Sequence, residues 1–240
     1  MAAGRRLEGR IALVTGASRG IGAAVAKRFA AEGARLVLVA RSPGALEEID
    51  DAVRAAAGTE EGATLVPLDV TDAPALDRLG AAIHERFGKL DVLVGNAAIL
   101  GTLTPVGHIE PAEWDEVIAT NLTANWRLIR SLDPLLQLSD AGRAIFLSSG
   151  VARTVFPYWG TYAVSKAALE MLVKIYAAEN DKTNVNANLL DPATVRTAMR
   201  AAAMPGEDPM TLPEPDAITD DFVALAEPAC TRNGEVVRLS

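Results

Sequence analysis

The sequence predicts an α/β fold in a single domain: a doubly wound parallel sheet with helices on both faces. Three observations carry this expectation. Short, continuous apolar runs recur along the chain, as in strands buried on both faces. Stretches with apolar residues at helical spacing separate them, so strands and helices alternate. A glycine-rich turn follows the first apolar run, where such folds open their first helix. The 240 residues suffice for one large domain with a buried core, and no shift in composition marks an internal linker.

Ile11-Ala12-Leu13-Val14 reads as the first strand, and Ile21, Val25, Phe29 and Ala30 give the helix after it, ended by Gly33. Leu36–Ala40 is the second strand, and Ala45–Ala57 an Ala- and Glu-rich helix closed by Gly58. Thr64–Leu68, Pro74–Phe87 and Leu90–Val94 continue the alternation as strand, helix and strand. A long helical stretch runs from Glu113 to about Leu138, with a bend expected near Pro134. Arg143–Leu147, Thr161–Glu179 and Val185–Leu190 follow as strand, helix and strand, with a last strand at Glu235–Leu239. Between Ala203 and Asp216 four prolines and Gly206 leave little room for regular structure. That segment is either a surface connector or a lid over a substrate site, and residues 203–216 are carried forward as the lid.

Composition removes several classes of function. Hydrophobic residues make up 50% and charged residues 22%, a globular balance and not that of a disordered chain. Twenty-three basic against thirty-one acidic side chains give a net charge of −8, which repels phosphate backbones, so no nucleic-acid partner is expected. Cys230 is the single cysteine and His84 and His108 the only histidines, which excludes an intrachain disulfide and disfavours a His/Cys metal site, so no metal is expected. The apolar stretch after Arg10 soon meets Thr15, Gly16 and Ser18, too early for a signal-peptide core. No run approaches the ~20 apolar residues of a membrane span. A cytoplasmic protein without a membrane partner is the expectation.

Thr15-Gly16-Ala17-Ser18-Arg19-Gly20-Ile21-Gly22 lies between the first strand and the first helix. Glycines there permit a tight turn and close approach of a ligand, and the helix N-terminus presents free N–H groups to an anion. The spacing departs from G-x-G-x-x-G, but its position after the first strand points to a nucleotide site of Rossmann type. Arg41 stands just past the second strand, where dinucleotide folds usually place an acidic residue on the ribose 2′-hydroxyl. A cation there pairs instead with a 2′-phosphate, and Arg19 reaches for the same group. Solvated arginines are the plainer alternative. With no acidic residue at Val39 or Ala40, NADP(H) is favoured over NAD(H).

Tyr162 and Lys166 open a helix four residues apart and so share a face. An ammonium beside a phenol favours phenolate and lowers its pKa, so the pair could move a proton to or from a substrate oxygen. Ser149, just past the Arg143–Leu147 strand, falls at the carboxyl edge of the sheet, where such folds bind ligands. Alone, a half-buried helix tyrosine beside a surface lysine is the plainer reading and explains most such pairs.

Thr15 to Gly22, Asn96-Ala97-Ala98, Asn121, Ser149 and Tyr162-x-x-x-Lys166, taken in order, resemble the short-chain dehydrogenase/reductase family. The resemblance runs from about Gly9 to Thr197. It implies that Tyr162 is the general acid/base, that Ser149 orients the substrate carbonyl or hydroxyl, and that Lys166 binds the nicotinamide ribose and lowers the Tyr162 pKa. It also implies that Asn121 holds a water in a proton relay. Gly16, Ser18, Arg19, Gly20, Ile21 and Gly22 would hold the cofactor phosphates, and Asp69 and Val70 would meet the adenine, although Asp69 alone could simply cap the turn at Thr71. Asn96 and Ala97 would line the cofactor, Pro192 and Thr194 would close around the nicotinamide, and Thr197 would touch the diphosphate. Three departures stand out. The family's Asn-Asn-Ala-Gly reads Gly95-Asn96-Ala97-Ala98, its Pro-Gly reads Pro192-Ala193, and the chain stops at Ser240, where many relatives continue.

The resulting reading is an NADP(H)-dependent oxidoreductase that interconverts a secondary alcohol and a carbonyl on a small-molecule substrate. A non-catalytic NADP(H)-binding sensor, a structural subunit of the same fold and a sugar-nucleotide epimerase are the rivals. The long helices Glu113–Leu138 and Thr161–Glu179 resemble those that pair subunits in the family, implying a homodimer or homotetramer. His84 reads as a surface residue, and His108 as a loop residue that is either plain surface or a border of the substrate site. Trp114 and Trp126 read as core or interface aromatics, and Tyr158 and Trp159 as candidate walls of a substrate pocket. Arg196 and Arg200 would serve an anionic substrate or be solvated helix residues.

Overall fold

The computed structural model describes residues 4–239. Seven strands form one sheet: β1 (Ile11–Thr15), β2 (Arg35–Ala40), β3 (Thr64–Pro67), β4 (Val92–Gly95), β5 (Gly142–Leu147), β6 (Val185–Asp191) and β7 (Val236–Arg238). They pair in the order β3-β2-β1-β4-β5-β6-β7, every neighbour parallel. The helices between them are α1 (Gly20–Ala31), α2 (Pro43–Ala57), α3 (Ala73–Phe87), α4 (Pro111–Ile118), α5 (Ala124–Gln137), α6 (Gly160–Glu179), α7 (Ala198–Ala203) and α8 (Thr219–Ala226). The expected single-domain α/β fold is present, with the predicted strands within a few residues of their observed ends.

Continuous apolar strands make sense because both faces of the sheet are covered. Leu13, Val37 and Val39 point into one core with Leu76 and Ile83 of α3, Leu128 and Leu132 of α5, and Leu169 and Val173 of α6. Ala12, Val14, Leu36 and Leu38, one residue out of phase, point into the other with Val25 and Phe29 of α1, Leu46 of α2 and Phe222 of α8. Local signals set several helix ends. The Asp72 carboxylate caps α3 by accepting the Ala75 N–H at 3.0 Å, and Gly58 and Gly88 close α2 and α3 at positive φ.

At the amino edge of the sheet, Asp91 ties the central strands together. Its carboxylate accepts the Ile11 N–H at 2.9 Å, the Lys89 ammonium at 2.9 Å and the Ser139 hydroxyl at 2.5 Å. Burial pushes this carboxyl up, but those hydrogen bonds outweigh it and hold the pKa below the ordinary aspartate value. At the opposite edge β1 is flanked by β2 and β4, whose crossovers run to opposite sides. That switch point opens a crevice outside the carboxyl ends of the strands.

Two expectations need correction. The helical stretch after Glu113 starts at Pro111 and is interrupted by a π-helical turn at Ala119–Thr123, whereas Pro134 lies inside α5, which runs on to Gln137. The irregularity follows the buried side chain of Asn121, and π-helical turns are frequent at functional sites. Residues 203–216 are also more ordered than composition suggests. They hold short 3₁₀ turns at Pro209–Thr211 and from Pro215, and ion pairs Arg196–Glu214 and Arg200–Glu207 pin them to the chain around α7. Among the described residues no helix is long and apolar enough to cross a membrane, and no group of His, Cys, Asp or Glu is placed to hold a metal ion.

Candidate active site

A cavity of about 610 Å³ occupies the crevice at the carboxyl ends of the strands. Its floor is the turn after β1. Gly16 has φ +63°, and a Cβ there would come within 2.8 Å of the Asn96 amide and 3.0 Å of Ala97 Cα. Gly20 is likewise at positive φ. Asn96 secures the turn from β4, its Nδ2 donating to Thr15 O at 2.8 Å and Gly16 O at 3.1 Å. The buried Thr15 hydroxyl accepts the Asn96 and Ala97 N–H groups at 3.0 and 3.1 Å and donates to Val94 O at 3.2 Å. Sequence reasoning placed Thr15 in the turn but missed this role, because no local pattern announces a hydroxyl shared between two strands.

The N-terminus of α1 opens into the cavity at Arg19 and Gly20, with no side-chain cap and no acidic residue in its first turn. Its free N–H groups and positive dipole end therefore suit an anion. Arg19 and Arg41 are exposed at this end, and Asp69 and Val70 line the wall beside them. Asp69 does cap its own turn, accepting the Thr71 N–H at 2.9 Å and hydroxyl at 2.8 Å. Those bonds, aided by the charge of Arg41, hold its carboxyl below the ordinary value against some burial.

At the other end the cavity meets Ser149, Tyr162 and Lys166. β5 delivers Ser149 just past its carboxyl end, and α6 brings Tyr162 and Lys166 on one face, at 8% and 2% exposure. Lys166 Nζ donates to Leu147 O at 2.8 Å and lies 5.7 Å from the centre of the Tyr162 ring. Trp159 packs edge-on against that ring with centroids 6.1 Å apart. Its place is fixed by a bridge to Thr104, whose N–H donates to Tyr158 O at 3.0 Å. Trp159 thus walls the cavity, whereas Tyr158 points to solvent and is outside it.

The electrostatics differ from expectation. Burial pushes the Tyr162 phenol up to about 12, the negative charge of Asp191 adds to this, and a hydrogen bond with Ser149 pulls it partly back. Burial brings Lys166 down to about 8. Burial is the largest influence on both groups, each held toward its neutral form.

Most of the anticipated residues do meet in this one cavity. Besides those above, Ser18, Ile21, Pro192 and Thr197 line it. Three do not. Gly22 is buried behind the turn, where a Cβ would collide with Gly16 O. Thr194 is exposed outside the cavity wall. Asn121 is fully buried behind Ile99, with its amide engaged by Ile99 and Ser165. Of the expected lid only Ala203 reaches the cavity. The wall on that side is α7, a helix to which the sequence reading gave no bounds, through Ala198, Met199, Arg200 and Ala202. Arg200 is bound by both arms to Glu207, at 2.6 and 2.7 Å, so its charge is already answered. His84 and His108 are exposed and apart from the cavity.

Two glycine departures also resolve structurally. A Cβ at Gly95 would run into the Phe146 ring and within 2.5 Å of Asn125 Oδ1, while Ala98 lines the cavity with its methyl. Ala193 lies at φ +56°, in the left-handed region that favours glycine.

Comparison with known proteins agrees with this geometry. The family model for short chain dehydrogenases matches residues 10–208. An uncharacterised oxidoreductase of Escherichia coli K12, YciK, is 35% identical over 219 residues, covering 91% of this chain and 86% of its own. Among solved structures, a short chain dehydrogenase of Pseudomonas syringae superposes with a TM-score of 0.95 at 37% identity, covering 99% of this chain and 97% of that one. A short chain dehydrogenase of Escherichia coli CFT073, complexed with NADPH, has a TM-score of 0.94 at 33% identity, covering 98% of each chain.

Proposed function

The chain belongs to the short-chain dehydrogenase family of oxidoreductases, and from that premise we propose an NADP(H)-dependent enzyme that interconverts a secondary alcohol and a carbonyl. The observation that carries this is the meeting of Ser149, Tyr162 and Lys166 in one cavity whose far end is an uncapped helix N-terminus flanked by Arg19 and Arg41. The residues fit the dinucleotide. The turn at Gly16–Gly20 leaves room for phosphates at α1, and Arg41 and Arg19 suit a 2′-phosphate. NADPH bound to a relative 33% identical supports the same choice. When bound, the cofactor supplies or accepts the hydride.

The chain's own residues handle the proton. In reduction Tyr162 gives its phenolic proton to the carbonyl oxygen, and Ser149 holds that oxygen in place. A phenol kept protonated by burial suits an acid in this direction. Lys166 lies beneath the phenol, anchored on Leu147 O, where it helps to hold the cofactor and favours the phenolate as the proton leaves. Asn121 acts from behind, by holding Ile99. Residues 203–216 would close over the substrate by moving with α7, to which their ion pairs join them.

The assembly reading is a homodimer or homotetramer. It rests on Val164, Met171 and Ile175, which form one exposed apolar row on α6, with Trp126 exposed on α5. Light scattering that returns a lone 25.2 kDa particle at micromolar concentration would rule it out.

A screen of ketones and aldehydes with NADPH, read by loss of nicotinamide absorbance, tests the activity. Once a substrate is found, Tyr162→Phe should keep cofactor affinity and lose about 10²–10⁴-fold in turnover. Equal rates in wild type and Tyr162→Phe at saturating NADPH would remove Tyr162 from the chemistry. Cofactor binding without turnover of any carbonyl would favour the sensor instead.

A further inference from the structure

Behind Ser149 and Tyr162 lies a charged group that the reading above leaves without a role. Arg153 follows the short 3₁₀ turn after Ser149. It sends one arm of its guanidinium to Glu170 Oε1 and the other to Asp191 Oδ2. Both carboxylates are buried, at 4% and 7% exposure, and they come from different elements. Glu170 lies one helical turn beyond Lys166, so Tyr162, Lys166 and Glu170 form a single row along α6. Asp191 is the last residue of β6 and also accepts the N–H of Ala193 at 3.3 Å. Ser148, next to Ser149, donates its hydroxyl to Glu170 Oε1 and its N–H to Leu190 O. Arg153 therefore fastens together three chain segments, those that carry Ser149, Tyr162 and Pro192.

The group is also a local charge balance. The charged side chains around the phenol are Lys166 on its own helix and Asp191 from β6, with Arg153 and Glu170 directly behind and Glu116 of α4 on the open wall of the same cavity. Lys174 reaches Glu170 at 3.6 Å from the solvent side. Of the four inner groups two are cations and two are carboxylates. Without Arg153 the buried Asp191 carboxylate would lose its cation and Glu170 would keep only Lys174 at 3.6 Å, a costly arrangement, and the charge of Asp191 already adds to what raises the Tyr162 phenol.

We propose that Arg153 is a positioning residue of the proton-transfer centre: it locks the Ser149 loop to α6 and β6 through Glu170 and Asp191, and offsets the Asp191 carboxylate, whose Oδ2 lies beside Gly150, next to Ser149. The proposal rests on the reading of Tyr162 as the group that moves the proton, but its test does not require a substrate. The chain has three tyrosines. Ultraviolet titration of the tyrosinate band, taken as the difference between a protein and the same protein carrying Tyr162→Phe, isolates the Tyr162 phenol.

Asp191→Asn keeps the shape of the side chain and removes its charge. The phenol midpoint should fall by about one pH unit or more from that of the wild type. A phenol out of reach in the wild type and within reach in Asp191→Asn counts as that fall. Arg153→Met should move the midpoint up in the wild-type background and by less in the Asp191→Asn background, where only the Glu170 charge is uncovered. If Arg153→Met does not fold, Arg153→Gln takes its place, and a phenol midpoint that does not rise when the guanidinium is removed overturns the proposal. An Asp191→Asn protein that melts cooperatively but titrates with the wild type, or whose phenol stays out of reach, overturns the proposal. A shift as expected together with full turnover of Tyr162→Phe would instead overturn only the catalytic reading of Tyr162.

Discussion

Asn121 grips Ile99 at both of its backbone groups. Its Oδ1 accepts the Ile99 N–H at 2.9 Å and its Nδ2 donates to Ile99 O at 2.9 Å. A third bond, to Ser165 Oγ at 3.1 Å, ties the same amide to α6. The π-helical turn gives the amide this reach, because the extra residue aims Asn121 inward at the segment leaving β4.

The clamp predicts a stability effect separate from any relay. Asn121→Ala leaves both polar groups of Ile99 short of a partner, while the Ser165 hydroxyl keeps its bond to Tyr162 O, and should cost about 2–4 kcal/mol. Urea denaturation with the cofactor absent measures it. A loss under about 0.5 kcal/mol would mean that water replaces the amide without penalty.

Cofactor choice is open to a charge reversal. Arg41→Asp removes a cation worth about 1.5–3 kcal/mol to a bound phosphate, so NADPH affinity should drop at least about tenfold, with NADH affinity unchanged or improved. Fluorescence titration with both cofactors at one ionic strength checks this. A parallel loss for the two would place Arg41 away from the 2′-phosphate.

Lys166 offers a prediction in pH. A base whose folded pKa, about 8, lies below its ordinary 10.5 is penalised when charged. The penalty is in full force below pH 8 and fades as pH rises toward 10.5, where the unfolded chain also loses the proton. The shift corresponds to roughly 3 kcal/mol. Lys166→Met should therefore look most favourable relative to wild type near pH 7, and lose that advantage by pH 10.5, while cofactor affinity falls at both. A pH-independent difference in melting would contradict the burial argument.

Ala193 holds a left-handed backbone that a Cβ disfavours by about 1–2 kcal/mol. Ala193→Gly relieves this but adds freedom to the unfolded chain, worth about 0.4–1 kcal/mol. A net gain near 0.5–1 kcal/mol is expected, readable as a higher melting temperature. No gain would mean that the loop has relaxed around the methyl group.

The central strands were legible because they are short apolar runs bounded by polar, charged or turn residues, as at Leu36–Ala40 between Arg35 and Arg41. The site was legible where chemistry and spacing coincide within one element, as with Tyr162 and Lys166. What stayed hidden depends on pairings across the chain. Arg153 reads as an ordinary loop cation until α6 and β6 bring Glu170 and Asp191 to it. Thr15 looks like any strand end until β4 offers it two N–H groups. The Ala-rich α7 had no legible bounds between Thr197 and a run of prolines, because six residues carry less than two turns of periodicity. The raised phenol of Tyr162 was hidden for a different reason: depth of burial, which no spacing encodes.

Asp91 has a bearing on how this chain can change over time. It joins Ile11, Lys89 and Ser139 at the edge of the sheet remote from the cavity, so the register of the central strands does not rest on the loops that line the site. Those loops can accept substitutions, and α7 can exchange side chains to admit a new substrate, while the frame stays closed at its far end. In native-state hydrogen exchange the amides of β1 and β4 should open only with global unfolding, and those around α7 at far lower free energy. New specificity would then arise at the soft edge without being charged against the stability of the rigid one.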